Sequence, residues 1–314
     1  MQALVTGGAG FIGSHLVGGL LKEDIKVRVL DNFSTGHLEN LAGVKSDIEL
    51  VRGDVREFQV VRGAMRGIDV AFHEAALCSV ARSVDDPQTS NAVNVDGTLN
   101  VLCAARDEGV KRLVFAASSS VYGNNPALPK QETQTPAPAS PYAVTKYTGE
   151  LYCRVFWQVY KLETICLRYF NVFGPRQMPD SQYAAVIPKF ISALLKNEAP
   201  VIYGDGQQTR DFSYIDNVVA ANLLAMRAEA GFGESFNIAC GQRTSLVQLV
   251  DTLRKLTKAD VQPVYKEPRA GDVLHSFADF TKANSILKYS PNTSLAAGLE
   301  RTVEWARSYK GVRS

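Results

Sequence analysis

Tyr142 and Lys146 stand four residues apart in Pro141-Tyr142-Ala143-Val144-Thr145-Lys146. On a helix that spacing puts both side chains on one face. A phenol with a pKa of about 10 is a poor base at neutral pH, and a neighbouring ammonium favours its ionised form. The pair therefore suits Tyr142 to general acid/base work, with Lys146 as the charge beside it. Upstream, Ser118, Ser119 and Ser120 close an apolar run. A hydroxyl there could hydrogen-bond an oxygen that changes between alcohol and ketone. Ser118 is the first choice, with Ser119 and Ser120 as alternatives. A Tyr-x-x-x-K pair and a serine run are each common in unrelated proteins, so their meaning depends on what surrounds them.

The first surrounding feature is Thr6-Gly7-Gly8-Ala9-Gly10-Phe11-Ile12-Gly13. It follows a short apolar run and opens a helical pattern. Gly7, Gly10 and Gly13 supply the tight turn, the close backbone approach and the helix–strand packing that a pyrophosphate site needs, and free amides at the helix start face the anion. Asp31 ends the next apolar run, followed by Asn32. A carboxylate there accepts from both adenosine ribose hydroxyls and repels a 2′-phosphate, which favours NAD over NADP. Asp54 and Val55 end the third run, where a side chain could read an adenine edge; an ordinary helix cap is the other reading of Asp54. Ala75 and Ala76 end the fourth, small enough for a cofactor to approach the backbone. With NAD in place, its positively charged nicotinamide joins Lys146 in favouring the Tyr142 phenolate, and Lys146 is also suited to hold the nicotinamide ribose.

These residues need a scaffold, and the pattern predicts one. Strands are expected at 3–6, 27–30, 48–51, 70–73, 113–117 and 164–168, with helices at 11–23, 91–109 and 142–160. Strands alternating with helices imply right-handed crossovers and a parallel sheet covered on both faces. The predicted fold class is α/β, a Rossmann-type doubly wound parallel sheet with a smaller C-terminal substrate-binding domain. Residues 1–170 form the expected NAD-binding domain, with about 212–240 packing back onto it, and 171–314 the substrate domain. Five of the 13 prolines fall between 126 and 141, a loop on the ligand side of the sheet. Beyond Asn171 the rhythm weakens, and 201–206 and 269–272 read as irregular, substrate-binding structure.

Composition excludes several other classes. Of 314 residues, 46% are hydrophobic and 21% charged, which is ordinary for a globular chain. Net charge is +2, without the basic excess of a nucleic-acid binder. No apolar run reaches the ~18–20 residues of a membrane span, and the N-terminus has no secretory pattern. The five cysteines are widely spaced with no C-x-x-C pair, and the four histidines are scattered, so no metal site is expected. A reducing, cytoplasmic setting is the expectation.

Together with Asn94-Val95-Asp96-Gly97-Thr98, Arg168 to Pro175, Arg210-Asp211-Phe212 and Arg269-Ala270-Gly271-Asp272, these motifs resemble the extended short-chain dehydrogenase/reductases, specifically the nucleotide-sugar 4-epimerases, across essentially the whole chain. The resemblance implies that Tyr142 takes the sugar 4′-hydroxyl proton while C4′ gives hydride to NAD⁺. The 4-keto sugar then turns over about its diphosphate link and is reduced on the other face. It adds Asn94 and Tyr169 to the cofactor contacts. It places substrate contacts at Ser118, Asn171, Val186, Arg210, Arg269 and Asp272. The arginines suit diphosphate oxygens. Tyr203 either lies against the nucleotide base or is an ordinary core aromatic. Dehydratases and decarboxylases of this fold carry carboxylates where Ser119 or Ser120 stands, which leaves epimerisation.

In related epimerases an aromatic residue at the position of Ser276 closes the pocket to a 2-acetamido group. Ser276 leaves room, so the chain looks most like the UDP-N-acetylglucosamine 4-epimerases, with UDP-glucose or UDP-glucuronate 4-epimerase as the alternative. An inactive NAD-binding sensor or scaffold is the alternative from another class, opposed by the intact Ser118, Tyr142 and Lys146. The resemblance also implies a homodimer formed by the helices at 91–109 and 142–160.

Overall fold

The structure, a computed structural model, describes residues 1–179, 185–268 and 274–309. Its first half alternates strand and helix: β1 (Gln2–Thr6), α1 (Phe11–Lys22), β2 (Lys26–Asp31), β3 (Ile48–Arg52), α2 (Phe58–Met65), β4 (Val70–His73), α3 (Val80–Asp85), α4 (Pro87–Asn91), α5 (Gly97–Asp107), β5 (Arg112–Ser118), α6 (Pro141–Tyr160) and β6 (Glu163–Tyr169). Then follow β7 (Val172–Phe173), α7 (Val186–Leu195), β8 (Val201–Tyr203), β9 (Thr209–Arg210), β10 (Ser213–Tyr214), α8 (Ile215–Arg227), β11 (Glu234–Ile238), β12 (Thr244–Ser245), α9 (Leu246–Thr257), β13 (Val264–Lys266), α10 (Thr281–Leu287) and α11 (Leu295–Ser308).

Seven strands form one sheet in the order β11-β6-β5-β4-β1-β2-β3, every pair parallel. The central strands are buried on both faces: Ala3, Leu4 and Val5 are fully buried, as are Leu113 and Val114. That is why they read as continuous apolar runs and not as alternating ones. The strand order reverses between β1 and β4, and a doubly wound sheet binds its ligand in the crevice beyond such a reversal. This is the Rossmann-type arrangement that the sequence predicts, with β11 as a seventh strand drawn from the 212–240 stretch. One apolar core joins β1, α1 and α8 to α7, α9 and α11. A second, smaller core lies under α2, α5 and α6 on the opposite face.

The helix expected over 91–109 is present: the backbone stays helical from α4 into α5, with a π-helical turn over Ala92–Asp96 between them. A π turn admits one extra residue and turns nearby side chains, and here Asn94 is the residue it presents. The second half is more regular than expected, with five helices among the described residues beyond 171. Their apolar positions, such as Ile187, Phe190, Ile191 and Leu194 in α7, are buried at helical spacing.

Candidate active site

After β1 the chain turns through Gly7 to Gly10 into α1. Gly7 has a φ of +70°, and a Cβ on it would stand 2.7 Å from the backbone of Ala75. A Cβ on Gly13 would reach within 2.8 Å of Gly8 Cα. Glycine thus lets the turn, the helix and the end of β4 converge. Gly10 caps α1 without a side-chain bond, so the amides of the first turn, at Phe11 and Ile12, have no side-chain partner there. Asp31 is 7% exposed, and its carboxylate is already aimed: one oxygen accepts from Ala9 N and the other from Phe33 N, both at 2.8 Å. A carboxylate has about four acceptor positions, so capacity remains for two hydroxyls.

Asp54 is occupied differently. Its oxygens accept from Arg56 N (2.9 Å), Arg56 Nε (3.0 Å), Arg56 Nη2 (2.8 Å) and Asn32 Nδ2 (2.8 Å). The Arg56 guanidinium holds the carboxyl well below the usual range. Four donors thus meet the Asp54 carboxylate, which organises the end of β3, and the Val55 side chain is buried in the second core. Ala75 and Ala76 lie half-buried just past β4. Asn94 receives Leu77 N at 2.8 Å and donates to Leu77 O and to Thr145 Oγ1, each at 3.1 Å. Its amide thus ties the loop after β4 to α6.

Tyr142 lies in the first turn of α6. Ser140 caps that helix by accepting from Ala143 N, Pro141 follows at the first helical position, and Ser83 Oγ accepts from Tyr142 N at 2.9 Å. The Ser118 side chain lies close enough to the Tyr142 hydroxyl to pull its pKa down, so Ser118 is the serine that faces it. Ser118 Oγ also accepts from Ser120 N and Ser120 Oγ. One turn on, the buried Lys146 donates from Nζ to Ala116 O at 2.7 Å, over the Phe115 ring. Gly149 makes that reach possible, because a Cβ there would lie 2.8 Å from Phe115 Cε1.

The electrostatics amend the sequence reading. Burial, then Cys78 and Glu74, pushes the Tyr142 phenol above its usual value, with the Ser118 side chain pulling the other way. Lys146 is lowered by burial and supported by Glu74. The positive charge still needed to favour the phenolate belongs to a nicotinamide. Tyr169, buried at the end of β6, donates to Glu74 Oε1 and accepts from Asn222 Nδ2, both at 2.8 Å.

On the substrate side, Asn171 Nδ2 donates to Asp211 O at 2.9 Å and stands 3.4 Å from Ser276 Oγ. Ser276 is anchored by its own N–H to Thr209 O, beside Arg210, whose Nη1 donates to Leu274 O. Val186 opens α7, half-buried. Tyr203 borders an open depression of about 660 Å³ with Tyr265, Lys266 and Glu267, so it is not the core aromatic of the second reading. Arg269 and Asp272 lie outside the described residues. The sequence reading overlooked Ser83, Thr145, Glu74 and Asn222. Only Ser140-Pro141 advertised itself, as a helix start.

The switch-point crevice, the glycine convergence and the aimed Asp31 carboxylate fit NAD. They define a dinucleotide-binding enzyme of the Rossmann type with a Ser-Tyr-Lys centre. The chain belongs to the NAD dependent epimerase/dehydratase family, which it matches over residues 3–239. It is 40% identical to the UDP-glucose 4-epimerase of Mycolicibacterium smegmatis over 98% of this chain and 99% of that one. Among solved structures it resembles UDP-glucose 4-epimerase from Thermotoga maritima with UDP-glucose (TM-score 0.94, 41% identity, 98% and 99% of the two chains). It is as similar to UDP-N-acetylglucosamine 4-epimerase from Methanobrevibacter ruminantium in complex with UDP-N-acetylmuramic acid (TM-score 0.94, 39% identity, 98% of each chain). Among the described residues, no helix is long and apolar enough to cross a membrane and no cluster could hold a metal ion.

Proposed function

We propose that the protein inverts C4′ of a UDP-sugar and that its preferred pair is UDP-N-acetylglucosamine and UDP-N-acetylgalactosamine. The observation that carries the reaction is the buried Tyr142 phenol beside Ser118, with Lys146 one turn away, at the carboxyl ends of β4 and β5. Bound NAD⁺ supplies the redox partner for C4′. Tyr142 Oη would take the 4′-hydroxyl proton as C4′ gives up its hydride, and would return a proton to the same oxygen as hydride comes back to the opposite face of C4′. Ser118 Oγ bonds the same sugar oxygen, and Lys146 holds the ribose next to the reacting ring. Gly7, Gly10, Gly13 and Asp31 hold the dinucleotide. Arg210 and Arg269 hold the diphosphate, so the sugar can turn over while its anchor stays.

The preference for an acetylated sugar is supported by Ser276, whose small side chain sits beside Asn171 with its backbone tied to Thr209. UDP-glucose as the preferred sugar is the second reading, favoured by similarity to the M. smegmatis and T. maritima enzymes. Incubation with UDP-N-acetylglucosamine, UDP-glucose and UDP-glucuronate, with products resolved by NMR, decides between them. Faster turnover of UDP-glucose overturns the acetyl preference, and no product from any of the three overturns the reaction.

A homodimer built on α5 and α6 belongs to the same proposal. Val144, Leu151, Val155 and Val159 recur on one face of α6 and are 49%, 40%, 45% and 62% exposed. An apolar stripe of that length on a helix is the mark of an interface.

A further inference from the structure

Glu74 is a buried carboxyl acting on Tyr142 and Lys146 for which the reaction scheme above has no use. It follows β4 directly, and its backbone packs against the Gly7 turn. Its carboxylate oxygen terminates a directed chain of hydrogen bonds, from Asn222 Nδ2 on α8 to Tyr169 Oη on β6 to Glu74 Oε1, each link 2.8 Å. It acts on Lys146 and Tyr142 of α6, on which Cys78 from the loop beyond β4 acts as well. Its neighbour His73 is buried between Thr6 and Thr98 and held neutral by burial, its pKa lowered to about 3. Lys146 is therefore the only cation acting on Glu74 among these groups. Burial raises the Glu74 carboxyl to about 7, with Tyr169 and Lys146 opposing.

A residue that is base in one half of a reaction and acid in the other needs a pKa near the working pH. An ammonium and a cationic ring together draw the Tyr142 phenol down from the raised value that burial gives it. A carboxylate facing the same site works against that pull and keeps the buried ammonium charged. We propose that Glu74 is a positioning residue that fixes the Tyr169 hydroxyl and sets the basicity of Tyr142 through its negative charge. The inference rests on Tyr142 being the acid/base group.

The test uses the NAD-loaded enzyme and the pH profile of kcat/KM for whichever UDP-sugar is turned over. Glu74→Gln keeps an acceptor for Tyr169 and removes the charge. The rising limb is expected to move to lower pH by about one unit, the order of effect that removing one charge has in a partly polar interior. A uniform loss of rate with an unmoved limb overturns the proposal, since that is what a purely structural partner of Tyr169 would give. Infrared difference titration supplies a readout independent of activity and of that variant's folding. A carboxylic-acid band should titrate near neutral pH in the wild type and move to higher pH in Tyr169→Phe, which lacks the bond that lowers it. Asp211, also raised to about 6, is held by Cys240, Gly241 and Ala278 backbone amides and would not respond to that change. No Tyr169-sensitive band overturns the proposal. Activity retained in Tyr142→Phe would instead overturn the reaction scheme, whatever Glu74 does.

Discussion

Gly13→Ala and Gly18→Ala each add one carbon to α1, and the structure gives them opposite signs. An added Cβ at Gly18 meets nothing within 4 Å. The change gains helix propensity, about 0.5–1 kcal/mol. At Gly13 the same carbon would lie 2.8 Å from Gly8 Cα and 2.9 Å from the Gly7 carbonyl carbon, and closer still to that carbonyl's oxygen, where ordinary contact begins at 3.4 Å. From the first of these alone, 3.4 − 2.8 requires a retreat of 0.6 Å. None of these atoms is the end of a flexible side chain. The retreat must move backbone that also carries the Gly7 N to Leu30 O (2.8 Å) and Gly10 N to Gly7 O (3.0 Å) bonds. Overpacking costs about 1–3 kcal/mol, and a backbone-to-backbone clash belongs at the upper end. At roughly 2 °C per kcal/mol for a chain of this size, Gly13→Ala should melt about 4–6 °C below wild type and Gly18→Ala about 1–2 °C above it. Melting each protein with and without NAD separates packing from binding. NAD at a hundredfold excess over its Kd stabilises by about 2.7 kcal/mol, and the Gly13 variant should lose most of that increment because the turn amides have shifted. A Gly13→Ala protein that melts with wild type and keeps the full NAD increment would refute the reasoning.

Tyr142→Phe should lower kcat by about 10²–10⁴-fold while the protein retains NAD, measured by turnover and by cofactor content after desalting. Ser276→Tyr should impair acetylated UDP-sugars selectively; equal loss on UDP-glucose in parallel assays would count against a steric gate. Leu151→Lys with Val155→Glu should convert a dimer to monomers, read as halved mass by light scattering, with α6 itself intact by circular dichroism.

The first half of the fold was legible because its strands are buried on both faces and its helices are punctuated by glycine and proline. The predicted limits of β1, β4 and α6 fall within a residue of the observed ones. The π turn at Ala92–Asp96 was not legible, since it has no compositional mark and shows itself only when Asn94 is seen bridging Leu77 and Thr145. The second half hid its helices from a search for strand–helix alternation. β7 to β10 are two or three residues each, too short for any period to register. Within the site, spacing pointed to Tyr142, Lys146 and the glycines. Glu74 was hidden for a different reason: a carboxylate one residue past a strand looks like a surface group until the chain from Asn222 through Tyr169 closes on it. Asp54 shows the converse. Its place at a strand end suggested a ligand contact, but nothing in the sequence showed that Arg56, two residues on, would also bond it.

The position of the Tyr142 oxygen depends on two separate anchorages of α6. At its start, Ser140, Ser83 and the bond from Thr145 Oγ1 to Tyr142 O (2.8 Å) hold the first turn. Along its length, the Gly149 contact with Phe115 and the bond from Lys146 to Ala116 set its distance from β5. Further on, Glu150 takes both forks of Arg168 from β6 at 2.9 and 2.6 Å, with the two side chains 2% and 3% exposed. Burying such a pair gains little stability over apolar packing of the same volume. It does fix direction: Arg168 also reaches Tyr122, and Glu150 also receives Ser235 of β11. One helix is thereby referenced to three neighbouring strands. A phenol that must serve both faces of a turning sugar needs this constancy more than it needs the stability, because its reach is set by the sheet and not by the ligand.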